Sequence, residues 1–207
     1  KSGLIITNNH VIDNAFSVQI HFPDKNRHID ANILTTDKVN DIAVLKIDNA
    51  ISNSMQIPFQ KANKEVRSGQ AVHTIGYPLG DLLGQKPRLT SGVVSSPFGF
   101  KDDKRCFQIT APIQSGNSGG IVFNNNAEAV GIIIGSVDDM MVLIETRTMP
   151  QNVNFAIKFE FVEALLKSEN LHVEYATYPT DKIKREDLVD YIQPVTCQII
   201  VKRKLTS

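Results

Sequence analysis

The chain has no tryptophan and two cysteines among its 207 residues, Cys106 and Cys197. Two distant cysteines exclude a disulfide-rich secreted scaffold, and their spacing is not that of metal ligands. They leave two readings open: a pair of buried or half-buried thiols, or a single bridge tying the tail to the body of the fold. No excess of charge is present either, since Lys plus Arg and Asp plus Glu both number 22. Nothing in that balance points to nucleic acid or an anionic membrane surface as a partner. No apolar run approaches the ~20 residues a membrane span needs. No signal peptide is visible, and no His, Cys and acid cluster has metal-ligand spacing. No internal repeat or low-complexity stretch interrupts the chain. What remains is enough apolar sequence for one substantial core or two small barrels.

Glycine is used sparingly, yet three of the 12 glycines fall in the run Gly116-Asn117-Ser118-Gly119-Gly120. Apolar, strand-like residues flank it: Cys106 to Thr110 before, Ile121 to Phe123 after. Glycine reaches backbone angles closed to other residues, so such a turn can aim several N–H groups at one point. A serine hydroxyl beside converging N–H groups is the layout for attack on a carbonyl and for holding the oxyanion that forms. A turn of this composition is also found as a plain bend, so its weight depends on two further segments. These are Thr7-Asn8-Asn9-His10-Val11-Ile12 and Asn40-Asp41-Ile42-Ala43-Val44-Leu45-Lys46-Ile47. A histidine, an acid and a serine thus occur in the chymotrypsin-type order, each at the edge of an apolar run.

Those three segments together resemble the trypsin-like serine proteases of the HtrA/Deg family. Ser68 to Gly80, Leu89 to Ser95 and Asn154-Phe155-Ala156-Ile157 are similar to further pieces of it, and the resemblance runs from about Gly3 to about Leu166. It implies a mainly β fold of two packed six-stranded antiparallel barrels followed by a helix. The first barrel is expected over about 1–85, the second over about 86–158 and the helix over 159–168. A barrel of this kind needs at least one more strand upstream of Leu4. The protease domain is then 1–170, and 171–207 is an extension too short for a PDZ domain.

The pattern of residues agrees with a β protein. Val18, Ile20 and Phe22 alternate on one strand face, and Ile29, Ala31 and Ile33 on another. Pro23-Asp24-Lys25-Asn26 is a turn cluster. Ile42 to Ile47 reads as a fully buried strand. Further strands are expected at 71–76, 89–96, 106–110, 121–124, 128–136, 141–147 and 153–158. Phe159, Val162, Leu165 and Leu166 form one helical stripe. In the tail, Lys182 to Ile192 suits a short helix and Val195 to Val201 a strand, which could be an appended strand, a linker or a substitute for a missing edge.

Within the resemblance, His10 is the general base, Asp41 the acid that orients it and Ser118 the nucleophile. Gly116 and Ser118 supply the oxyanion-hole N–H groups. Asp37 and Asp48 are rivals of Asp41 by position but have polar neighbours. His21 is expected to face water, and Arg67, Arg88 and Arg105 read as surface charges. Ile113, Gln114, Asn154, Phe155 and Ala156 are the expected substrate-pocket residues. The pocket has no acid at its floor and no histidine near 150, which argues against Arg, Lys or Glu before the cut. It suggests a shallow apolar site for Val, Ala, Leu or similar. Asparagines stand at 152 and 154 where the family has glycines. The expected function is a serine endopeptidase acting on unfolded or exposed polypeptide segments, with no cofactor and no metal. The resemblance implies an exported or periplasmic setting and makes an oligomer possible. Two alternatives stay open: a chaperone-like peptide-binding module with a latent site, and an assembly part that docks through its tail.

Overall fold

The structure, a computed structural model, describes residues 3–48, 59–62, 64–78, 84, 86–136, 153–175 and 184–204. The strand expected at 141–147, Leu79 and Gly80, and the asparagine at 152 lie outside the described residues.

Twelve strands and three α-helices are formed among the described residues. The strands are β1 (Leu4–Thr7), β2 (Ala15–Phe22), β3 (Arg27–Asp37), β4 (Ile42–Lys46), β5 (Gln60–Lys61) and β6 (Ala71–Gly76). They continue with β7 (Arg88–Ser96), β8 (Cys106–Ile109), β9 (Ile121–Asn124), β10 (Glu128–Ser136), β11 (Asn154–Lys158) and β12 (Gln198–Arg203). The helices are α1 (Asn9–Ile12), α2 (Phe159–Ser168) and α3 (Arg185–Ile192).

Strands β6 to β11 close into a six-stranded antiparallel barrel, because β10 pairs with β9 on one edge and β11 on the other. Closure leaves no unpaired edge among these six strands. Strand β5 adds to β10 in parallel. The barrel interior is filled by Val72, Val94, Phe107, Ile109, Val122, Val130, Ile133 and Ala156, all buried. The other sheet has five strands in the order β1-β4-β3-β2-β12. Its alternating residues Val18, Ile20, Phe22, Ile29 and Leu45 share one core, as their period of two requires.

The division of strands differs from the boundary drawn near residue 85. Strand β6 pairs with both β7 and β9, so the closed barrel starts at Ala71. The apolar run at 71–76 carries no mark of which sheet it joins; the pairing is decided by distant partners.

Helix α2 packs where the two sheets meet. Its Val162 and Leu166 are buried with Ile42 and Val44 of β4 and with Ile132 and Ile157 of the barrel. It ends at Ser168, and the chain turns away at Asn170, which takes a left-handed φ of 54°, while the Leu171 N–H reaches back to the Leu166 carbonyl at 2.8 Å.

The tail is an appended edge strand. Strand β12 runs antiparallel to β2, from Gln198↔His21 to Arg203↔Ala15. Cys197, Ile199 and Val201 pack on the five-stranded sheet's core, and Ile192 of α3 is buried against the barrel's Phe123 and Ala129. This strand also corrects the expectation for His21. It is buried, its Nδ1 bonded to Gln198 Oε1 at 2.9 Å, and it stacks on His28 at 4.1 Å. The register that sets Gln198 opposite His21 is what encloses the ring, while Ser17 and Gln19 on the same face stay half exposed.

Candidate active site

The short turn carrying His10 follows directly from β1. Thr7 and Asn8 are buried, and α1 then turns the chain so that His10 is half exposed. Asp41 sits at the entry to β4 with a left-handed φ of 53°, a conformation that Asp adopts more easily than most residues. Its carboxylate grips the turn twice. Oδ1 accepts the His10 backbone N–H at 2.8 Å and Oδ2 meets His10 Nδ1 at 2.7 Å. Its carbonyl accepts the Asn8 amide at 3.0 Å and the Asn9 N–H at 3.2 Å. A carboxylate on Nδ1 holds the proton there and leaves Nε2 as the acceptor.

Asp37, the positional rival, is committed elsewhere. Its carboxylate accepts N–H groups of Val39 and Asn40 and the Asn40 amide, building the turn that presents Asp41.

Ser118 lies in a turn docked on β10. Gly119 donates to the Ile133 carbonyl at 2.9 Å, and Ile133 donates to the Gly120 carbonyl at 2.8 Å. Strand β10 bulges between Ile133 and Gly135. The Ser118 hydroxyl donates to the bulge carbonyl of Ile134 at 3.3 Å, not to His10. Gly116 and Gly119 have φ of 96° and 80°, the left-handed region open to glycine. Among the described residues, no hydrogen bond occupies the N–H groups of Gly116 and Ser118. Gly119 is also where the serine turn meets the His10 segment. A Cβ there would lie 2.4 Å from Thr7 Oγ1 and 2.9 Å from Thr7 Cα.

The expected pocket residues divide. Gln114 is exposed and Ile113 half-buried against the barrel core. Asn154, Phe155 and Ala156 are buried. Asn154 uses its amide to hold the Ala111 carbonyl at 2.8 Å, and Ala156 packs inside the barrel. These two side chains are therefore committed to the Ala111 carbonyl and the barrel core. A cavity of about 270 Å³ opens beside Asp41, lined also by Phe100, Arg105, Cys106, Ile134, Gly135 and Phe155.

Arg105 is more than a surface charge. Its guanidinium bonds the Asp103 carboxylate at 2.7 Å and the Val39 carbonyl. This strap ties the start of β8 to the turn leading into Asp41. Hydrogen bonding from Arg105 holds the Asp103 carboxyl below its usual range. Both cysteines are free thiols. Burial, then the charge of Asp103, pushes the Cys106 thiol up to about 11; burial pushes Cys197 up to about 12. Neither is poised as a nucleophile. Among the described residues no group of His, Cys, Asp and Glu could hold a metal ion, and no helix is long and apolar enough to cross a membrane.

Sequence reasoning missed the supporting residues. Asn8 lies within a motif, so its place beside His10 could have been read. Ile134, Gly135 and Arg105 carry no local signal.

Residues 1–132 match the trypsin-like peptidase domain. The chain is 31% identical over 202 residues to the uncharacterised protein y4bJ of Sinorhizobium fredii, covering 96% of this chain and 31% of that protein. It is 29% identical over 205 residues to a serine protease HtrA-like protein of Staphylococcus aureus, covering 91% of this chain and 25% of the relative. It therefore spans less than a third of the length of these relatives. The crystal structure of the serine endoprotease from Yersinia pestis superposes with a TM-score of 0.64 at 30% identity, covering 81% of this chain and 54% of that one. A closed barrel, a second sheet, a His–Asp pair and a serine turn thus agree with the matches: the chain belongs to the trypsin-like serine peptidases, among their HtrA-like members.

Proposed function

We propose that this chain carries the catalytic site of a serine endopeptidase, with His10, Asp41 and Ser118 as its triad. The observation that carries the reading is the 2.7 Å bond between His10 Nδ1 and Asp41 Oδ2, with the Ser118 turn packed against the same segment at Thr7. His10 Nε2 takes the Ser118 proton as Oγ attacks the scissile carbonyl carbon. The new oxyanion is held by the N–H groups of Gly116 and Ser118. The C–N bond breaks as His10 returns the proton to the leaving amine. Water, deprotonated by His10, then hydrolyses the acyl-enzyme. Ser118 must first leave the Ile134 carbonyl, a rotation about its single χ1 bond.

The residue before the cut is small or aliphatic, since Ile113 and Phe155 offer an apolar wall. Such a pocket discriminates by only about 1–3 kcal/mol per methylene. The substrates are unfolded or exposed polypeptide segments, met in an exported or periplasmic setting. A peptide library tests this. Wild type is expected to cut after Ala, Val or Leu, and Ser118→Ala to cut nothing; cleavage by Ser118→Ala would refute the triad.

A second reading is favoured by one observation, the Ser118 hydroxyl bonded to Ile134 instead of His10. The chain would then be a peptide-binding module with a latent site that a ligand brings into order. Equal peptide binding by wild type and Ser118→Ala, with cleavage by neither, would support it.

A further inference from the structure

The tail bonds to the His10 turn through Arg203. Arg203, the last residue of β12, donates through Nε to the Asp13 carbonyl at 3.1 Å and through Nη2 to the Val11 carbonyl at 3.2 Å. These carbonyls lie at the C-terminal end of α1, the four-residue turn that bears His10. A single helical turn does not hold itself, because nucleation is unfavourable and its last carbonyls have no intrahelical partner. Asp41 pins this turn from its N-terminal side through the His10 N–H, the imidazole and the Asn9 N–H. Arg203 pins it from the other side.

The placement of Arg203 is built into the fold. The pairing of β12 with β2 is regular from Gln198 to Lys202 and shifts register between Lys202 and Arg203. A bulge of this kind re-aims the side chain that follows it. The strand itself is anchored at several places. Tyr77 donates to the Thr196 carbonyl at 3.3 Å, and Cys197, Ile199 and Val201 enter the sheet's core. A guanidinium suits the task because its planar fork can serve two carbonyls at once, which a lysine ammonium matches poorly.

We infer that Arg203 is a positioning residue for His10, clamping the C-terminal carbonyls of the His10 turn so that the imidazole stays aligned between Asp41 and Ser118. The inference rests on the protease reading for its effect on turnover, but not for its effect on the His10–Asp41 bond. A clamp acts on the rate of reaction of bound substrate, since Arg203 touches the turn rather than the pocket. A displacement of about 1 Å at a reacting group lowers rate about a hundredfold. Partial loosening of one end of the turn is expected to cost about tenfold in kcat, with KM unchanged.

The test compares Arg203→Met, Arg203→Lys and the neighbouring Lys202→Met in the whole chain. Readouts are kcat and KM on a cleaved peptide, the thermal midpoint, and the far-downfield NMR resonance of the His10 Nδ1 proton. Expected is a kcat loss of about tenfold in Arg203→Met with a weakened or broadened resonance and an unchanged KM. Arg203→Lys should fall between it and wild type, and Lys202→Met should match wild type. Wild-type kcat and an intact resonance in Arg203→Met would overturn the inference. So would an activity loss that follows the thermal midpoint across the variants, or that Lys202→Met reproduces. If wild type cleaves nothing, the protease reading fails while the resonance still decides: its loss in Arg203→Met upholds the clamp and its persistence overturns it.

Discussion

Gly119→Ala separates backbone strain from site geometry, because Gly69 is its natural control. The two glycines have nearly the same φ, 80° and 81°. An alanine at either must adopt the left-handed region, at about 1–2 kcal/mol. At Gly69 nothing lies within 4 Å of the added Cβ. At Gly119 the Cβ would fall 2.4 Å from Thr7 Oγ1, 2.9 Å from Thr7 Cα and 3.1 Å from Asn8 N. Thr7 Oγ1 can rotate aside, but Thr7 Cα and Asn8 N are backbone, two or three residues before His10. To regain ordinary contact near 3.5–4.0 Å, the serine turn and the His10 segment must part by roughly 0.5–1 Å. Misplacement of that size is expected to lower kcat/KM about a hundredfold. The thermal midpoint of Gly69→Ala should fall by about 2–8 °C, from that strain at about 2–4 °C per kcal/mol. Gly119→Ala should fall somewhat further and still fold. The assay is kcat/KM on a library-derived peptide beside a melting curve for each variant. Near-wild-type kcat/KM in folded Gly119→Ala, or an equal activity loss in Gly69→Ala, would refute the reasoning.

Asp41→Asn should keep the backbone, since Asn tolerates the left-handed conformation, yet lose the carboxylate that selects the imidazole tautomer; kcat should drop by about 10⁴, and a drop under tenfold would exclude Asp41 from the triad. Cys106, raised to about 11, should be alkylated by iodoacetamide at about pH 8 on the order of a hundredfold more slowly in the folded chain than in urea; equal rates would contradict its burial. The depressed Asp103 carboxyl contributes stability above its unfolded value of about 3.9 that disappears as acid titrates the folded group. The Arg105 strap should thus outlast the titration of an unfolded aspartate, read as an Asp103 carboxyl chemical shift that moves at lower pH than in the urea-unfolded chain; a midpoint at or above the unfolded one would refute it.

Much of this was legible because local chemistry and global fold agree. Period-two alternation in Val18, Ile20 and Phe22 fixed β2 and its inward face, and the Phe159 to Leu166 stripe fixed α2. His10, Asp41 and Ser118 stood out because each lies in a segment with its own motif. What escaped depends on partners far away in the chain. Strand β6 looks the same whichever sheet it joins, and its place in the barrel is set by β7 and β9. His21 looks exposed until β12 covers it, 177 positions later in the case of Gln198. Arg105 and Arg203 act on carbonyls, which every residue has, so no pattern of side chains announces them. The Ile134 bulge is a shift of register between strands and leaves no mark in composition.

Activation of Ser118 by the His10–Asp41 pair leaves a covalent signature. Intact-mass analysis after incubation with a fluorophosphonate tests it most directly, with His10→Ala and Ser118→Ala beside wild type. One adduct per wild-type chain, mapped to Ser118, is expected, and none in either variant. A folded wild-type chain that takes no adduct between about pH 6 and 9, or an adduct on another residue, would contradict it.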